Sequence, residues 1–86
     1  MQIAMINPDK VSALDAKIGA KLKALRLNKA INEGAAAAAA DLTFQEYRSC
    51  EAGTRRASSH ELFRIARLLR VPLTEIFAAL DEPTVG

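Results

Sequence analysis

The stretch Ala35-Ala36-Ala37-Ala38-Ala39-Ala40-Asp41-Leu42-Thr43-Phe44-Gln45-Glu46-Tyr47-Arg48-Ser49-Cys50-Glu51-Ala52-Gly53, followed at once by Thr54-Arg55-Arg56, decides how this chain folds. By composition alone the alanine run would pass for low complexity. Alanine is the strongest intrinsic helix former, however, and the run follows Asn32, a good N-cap, and Glu33, an acid suited to the positive end of a helix. Asp41-Leu42-Thr43 then stops that helix and starts another. Asp tolerates the left-handed backbone of a tight turn, Leu42 can bury, and Thr43 can cap the residues after it. The next helix runs from Phe44 to about Ala52, with Tyr47 and Cys50 on its inner face and Phe44, Gln45, Arg48 and Ser49 turned outward. Gly53 suits the position just past a helix end, where φ is positive. The order is helix, three-residue turn, helix, arginine pair.

Working outward, Leu14, Ile18, Leu22 and Leu25 recur at helical spacing, opposite Asp15, Lys17, Lys21 and Lys23. They predict an amphipathic first helix with Ser12 as N-cap and Asp15 completing a capping box. It should fade around Asn28 to Ala30, with Ile31 tucked beneath the next turn. Downstream, Ser58 or Ser59 caps a fourth helix that buries Leu62, Ile65, Ala66 and Leu69 and carries Arg64, Arg67 and Arg70 outside. Pro72 ends it, and Leu73 to Leu80 forms a last short helix with Thr74 near its cap. The expected architecture is all-α: a compact five-helix domain over residues 11–80, an arm over 1–10 and a tail over 81–86. The arm mixes an apolar hexapeptide, Met1 to Ile6, with the turn signal Asn7-Pro8-Asp9; it reads either as a free terminus or as a segment that pairs or packs on a partner subunit.

The chain of 86 residues, half of them hydrophobic, has room for one modest core. A core helix built on Ala36 and Ala40 makes that core thin, since each lacks three carbons relative to Leu. One cysteine excludes an internal disulfide and a multi-cysteine zinc site, and Cys50 reads as a small buried hydrophobe. No apolar run is long enough to span a bilayer and Met1 to Ile6 lacks the basic flank of a signal peptide, so a cytoplasmic location and no membrane partner are expected. The formal charge of +2 is only mildly basic, but three arginines cluster between Arg48 and Arg56. An enzyme is not expected. His60 stands alone at the start of a helix, with no glycine-rich phosphate loop and no carboxylate pair at a catalytic spacing, and no cofactor or metal is called for.

Over Ile18 to Phe77, about two thirds of the chain, the sequence resembles the Cro/CI-type (XRE-like) helix-turn-helix family of phage and bacterial repressors. The anchors are Ile18-Gly19, Leu22, Leu25-Arg26, Ala37, Leu42-Thr43, Tyr47, Cys50-Glu51, Gly53, Leu62, Ile65-Ala66, Leu69, Val71-Pro72-Leu73 and Ile76-Phe77. The resemblance implies a lambda-repressor-like DNA-binding domain whose second and third helices form the helix-turn-helix. It places Phe44, Gln45 and Ser49, with Arg48 beside them, where the family reads bases of double-stranded DNA. Gln45 is the foremost reader, because a carboxamide can bond adenine N6 and N7 together; Phe44 either packs on a thymine methyl or shores up the thin core. Phosphate contacts are implied for Thr54, Arg55 and Arg56 after the reading helix, and for Asn32 and the amides of the second helix. The family also pairs an arginine at the position of Arg26 with a glutamate at that of Glu51, leaving an arginine edge for phosphate.

There are departures from the pattern. Glu33 replaces the usual glutamine against the sugar-phosphate backbone and would repel it, Ala36 and Ala40 replace leucines, and Asp41 replaces the turn glycine. The function expected is a transcriptional regulator, a repressor acting as a homodimer on a two-fold operator. Its dimer surface would involve Phe63, Phe77, Ala78 and Leu80, or Ile3 and Met5 of the arm. The rival is an adaptor of the same fold that binds RNA polymerase, a toxin or another regulator, kept open by Glu33, Glu46 and Phe44.

Overall fold

The computed structural model describes residues 13–81. Five α-helices follow in order: α1 (Ala13–Asn28), α2 (Glu33–Ala39), α3 (Phe44–Ala52), α4 (Ser59–Leu69) and α5 (Leu73–Phe77), with a closing 3-10 turn over Ala78–Asp81. The arm, with Ile3 and Met5, and the proposed cap Ser12 lie outside the described residues. No helix among those described is long and apolar enough to cross a membrane.

Local chemistry sets most helix starts. Asn32 accepts from the Ala35 amide at 2.8 Å. Thr43 Oγ1 accepts from the Glu46 amide while Glu46 Oε1 accepts from the Thr43 amide, and Ser58 and Glu61 repeat this capping box on α4. Glu46 is thereby given a role in starting α3. The fifth helix differs from expectation: Pro72, with no side-chain bond to give, occupies the cap position, and Thr74 lies inside the first turn. A fixed proline φ is already suited to a helix entry. The helix also stops at Phe77, and Leu80 belongs to the 3-10 turn.

Four helices stop by one device. A residue one or two places past the end turns left-handed, at Ala30 (φ 57°), Asp41 (59°), Gly53 (79°) and Arg70 (59°). The next amide then reaches back five residues: Ile31 to the Arg26 carbonyl, Leu42 to Ala37, Thr54 to Ser49 and Val71 to Ala66, all at 2.9–3.1 Å. Ile31, Leu42 and Val71 lay their side chains against the core from these positions. Three of the four links thus close a helix and add an apolar contact, while the one at Gly53 leaves the polar Thr54 exposed.

The core gathers Leu22, Ala36, Ala37, Ala40, Tyr47, Leu62, Ile65, Ala66, Leu69 and Ile76. Ala36, Ala37 and Ala40 are buried, so neighbouring elements close in where leucine carbons are missing. Close approach is sharpest between α1 and α3. A Cβ on Gly19 would collide with the Cys50 carbonyl and stand 2.5 Å from the Glu51 carbonyl, so only glycine lets the helices cross there. Gly53 docks against the same helix, where a Cβ would lie 2.8 Å from Ala16 Cα. Leu14 departs from its expected inward place. It is 52% exposed and borders an apolar groove shared with Ile18, Leu62, Phe77 and Leu80.

Candidate nucleic-acid interface

The buried junction of α1 and α3 holds the outer face of α3 in place. Arg26 Nε donates to Glu51 Oε2 and Nη2 to Glu51 Oε1 (3.0 Å), while Nη1 donates to the Ile31 carbonyl (3.0 Å). The Tyr47 hydroxyl donates to Glu51 Oε2. Burial, reinforced by that bond, holds the Tyr47 phenol far above its ordinary range, and the bond to Glu51 raises the Arg26 pKa. The phenol therefore stays a donor and the guanidinium stays charged. Two donors meeting one carboxylate fix the rotation of α3 about its axis relative to α1. No buried side-chain nitrogen or oxygen among the described residues lacks a partner.

With Arg26 only 7% exposed and all three of its nitrogens donating inward, the edge expected for a phosphate is not presented. A buried guanidinium surrounded by its own acceptors is a strut of the fold, and the phosphate role inferred for Arg26 gives way to that one.

On the solvent side, Phe44, Gln45 and Arg48 are exposed and Ser49 is partly so, all on one face of α3. The Arg48 guanidinium stacks 5.6 Å from the Phe44 ring centroid, one turn apart on the helix. Phe44 is thus a surface residue, outside the core. Gln45 has no hydrogen-bond partner among the described residues, so its carboxamide is free at both ends. Glu33 is bracketed by Arg48 Nε at 3.7 Å and Arg26 Nη2 at 3.9 Å. Its charge is offset locally, which the sequence did not reveal, because its partners lie seven and fifteen residues away on other helices.

The loop after α3 is tied back to it. The Ser49 carbonyl accepts from the Thr54 amide (2.9 Å), the Thr54 hydroxyl (3.3 Å) and the Arg55 amide (3.2 Å). Arg55 turns inward: Nη1 donates to Glu61 Oε1 (3.0 Å) and to Cys50 Sγ (3.3 Å), and Nη2 to Glu61 Oε2 (3.3 Å). Glu61 is held below the usual glutamate range by Arg55, and the Arg55 pKa is raised in return. Burial pushes the Cys50 thiol up, against the nearby guanidinium. Arg56 reaches across to Asp15 at 3.1 Å. Both arginines expected at phosphates thus have carboxylate partners in the free protein. Asp15 and Glu61 were missed as those partners; the spacing of Glu61 from Ser58 was the available clue, since a capping glutamate lies beside the preceding loop.

The remaining surface candidates separate. Phe77 and Leu80 line the groove beside Leu14, of about 180 Å³, and Ala78 is exposed. Phe63 lies on α4 in a different groove with His60, Arg64 and Arg67.

Two helices joined by a tight turn, the second displaying free polar groups along a solvent face and pinned from behind, define a helix-turn-helix domain. The model of the helix-turn-helix family matches residues 22–76. The chain belongs to this XRE-type helix-turn-helix family, a family of DNA-binding transcriptional regulators. Among solved structures it is similar to the clp gene regulator ClgR from Corynebacterium glutamicum, with a TM-score of 0.76 and 19% identity over 84% of this chain and 77% of that one. It is also similar to the restriction-modification controller protein C.AhdI from Aeromonas hydrophila, with a TM-score of 0.71 and 26% identity over 77% of this chain and 100% of that one. Comparison with curated proteins gives no match.

Proposed function

We propose that the protein is a repressor that binds as a homodimer to a two-fold operator, with α3 in the major groove and half-sites about 34 Å apart. The observation that carries this reading is the free Gln45 carboxamide on the exposed face of α3, beside the stacked Phe44–Arg48 pair and Ser49. Gln45 suits adenine, and the outer edge of Phe44 suits a thymine methyl. Arg48 and Ser49 complete the base-reading group.

The phosphate contacts we assign to Asn32 and the first amides of α2, and to Thr54, with Arg55 and Arg56 joining when phosphate oxygens displace Glu61 and Asp15. That exchange makes the affinity modest and strongly salt-dependent. The dimer surface is assigned to Phe77, Ala78 and Leu80, whose apolar groove is open beside Leu14; Ile3 and Met5 extend it if the arm contributes. A cytoplasmic, nucleoid-associated protein follows from this role.

Operator selection from random duplexes, followed by anisotropy titrations across salt, tests the reading. Gln45→Ala should flatten sequence preference, with a loss of about 1–3 kcal/mol on the best site and little on random DNA. Absence of affinity for any duplex at low salt would overturn it. The second reading, an adaptor that contacts RNA polymerase, a toxin or another regulator, draws on one observation: Arg48, Arg55 and Arg56 all have carboxylates beside them.

A further inference from the structure

The arginines divide into two sets. Arg26, Arg48, Arg55 and Arg56 each have a carboxylate partner, in Glu51, Glu33, Glu61 and Asp15. Arg64, Arg67 and Arg70 are exposed and have none among the described residues. The uncompensated guanidinium charge therefore collects on α4 and its C-terminal end, away from the face of α3.

This charge surrounds an aromatic ring. His60, Phe63, Arg64 and Arg67 follow one another at helical spacing on the solvent side of α4 and, with Ala39, line an open groove of about 380 Å³. Phe63 is 48% exposed, and the Arg67 guanidinium stands 5.9 Å from its ring centroid. Arg64 Nε donates to His60 Nε2 at 2.8 Å, which orders that side chain within the same groove. The groove borders the last residue of α2, about 9 Å of helix from Glu33 at its start.

We propose that this face of α4 docks an acidic amphipathic segment of a partner protein, which sets an apolar side chain on Phe63 and carboxylates on Arg64 and Arg67. Arg70 extends the cationic row for a longer segment. Charge complementarity selects the acidic partner, because guanidinium forks match carboxylates and no carboxylate among the described residues pairs with Arg64, Arg67 or Arg70. The half-exposed ring at the centre selects protein over duplex DNA: aromatic and arginine side chains together dominate protein interfaces, whereas phosphate tracking makes no use of an apolar centre. A segment seated here leaves Gln45 open, so the protein can hold operator and partner together.

The test uses the full chain and fluorescein-labelled helical peptides bearing glutamates three and four residues from a central Phe or Leu, beside versions with glutamine for glutamate. The acidic peptide should bind at least about tenfold tighter than its glutamine version, with amide shifts centred on His60 to Arg70. Arg64→Gln with Arg67→Gln, and separately Phe63→Ala, should each weaken it about tenfold while random-duplex binding stays unchanged. These positions are exposed, so the variants should keep the wild-type circular dichroism spectrum. Equal affinity for both peptides, no binding of either, or shifts centred on α3 would overturn the proposal. A parallel loss of duplex binding in the arginine variant would give the face to DNA, and loss of self-association in Phe63→Ala would give it to a second copy; either would equally overturn it.

Discussion

Two arginine–carboxylate contacts tie α1 to the reading unit, and they differ above all in the burial of the arginine. Arg26–Glu51 joins the end of α1 to the end of α3 with side chains 8% and 5% exposed, a bidentate geometry and a tyrosine hydroxyl as third member. Asp15–Arg56 joins the start of α1 to the loop after α3, again through two guanidinium nitrogens, but with the arginine side chain 69% exposed above an aspartate 11% exposed. The first is a fixed strut that sets how α3 presents its outer face. The second is open on its arginine side, where water, salt or a phosphate can compete for the guanidinium. The domain is thus rigid behind α3 and exchangeable in the loop that follows it.

Removing the acid from the buried pair should break the comparison most forcefully. Glu51→Ala leaves a desolvated guanidinium and an unanswered phenol, and should cost about 3–5 kcal/mol. Glu46→Ala removes only the reciprocal capping bond on α3 and should cost about 1 kcal/mol. Urea unfolding of the two variants measures this directly; equal midpoints would show that the buried network does not carry α3. Gly19→Ala attacks the same seam without touching a charge. Its methyl would meet two backbone carbonyls, so the helices must part, at a cost of about 1–3 kcal/mol. A thermal melt that matches wild type would show that α1 and α3 can separate freely.

These two sites also show how far the sequence was legible. The helix-turn-helix could be read from Asn32, the alanine run, Thr43 and Gly53, because caps and propensities are local. The seam was visible only in part. Arg26 and Glu51 could be paired through family resemblance, but the collision at Gly19 depends on two helices meeting at one point, which no local pattern encodes. Helix ends show the same limit: Asp41 and Gly53 announce a left-handed residue, whereas Ala30 and Arg70 adopt it against their intrinsic preference because Ile31 and Val71 must reach the core. The partners of Arg48 and Arg56 were hidden likewise, and with them the reversal of where free positive charge lies.

Between the two extremes stands Arg55–Glu61, with side chains 31% and 17% exposed. Since the folded-state pKa of Glu61 is depressed, chiefly by the bond from Arg55, the pair contributes stability above the unfolded carboxyl pKa and loses it as pH falls through the folded value. Glu61→Gln should therefore lower the melting temperature by a few degrees at neutral pH and narrow the gap to wild type in acid, an effect on the order of 1 kcal/mol. A gap that stays constant from neutral to acidic pH would remove the ionic pair from the account.

The exposed contact should yield the smallest stability change and a distinct functional one. Arg56→Gln gives up a link that solvent already screens, so its melting temperature should stay within about 2 °C of wild type. On DNA the two readings of Arg56 part. If it leaves Asp15 for a phosphate, Arg56→Gln should weaken random and selected duplexes alike and lower the slope of log affinity against log salt by about one. Asp15→Asn should then strengthen both duplexes by removing the competitor. If Asp15→Asn leaves DNA affinity unchanged while Arg56→Gln also does nothing, Arg56 is not part of the grip. In that case the distinction between a rigid seam and an exchangeable loop survives as a statement about stability alone, with the phosphate contacts left to Asn32, the α2 amides and Thr54.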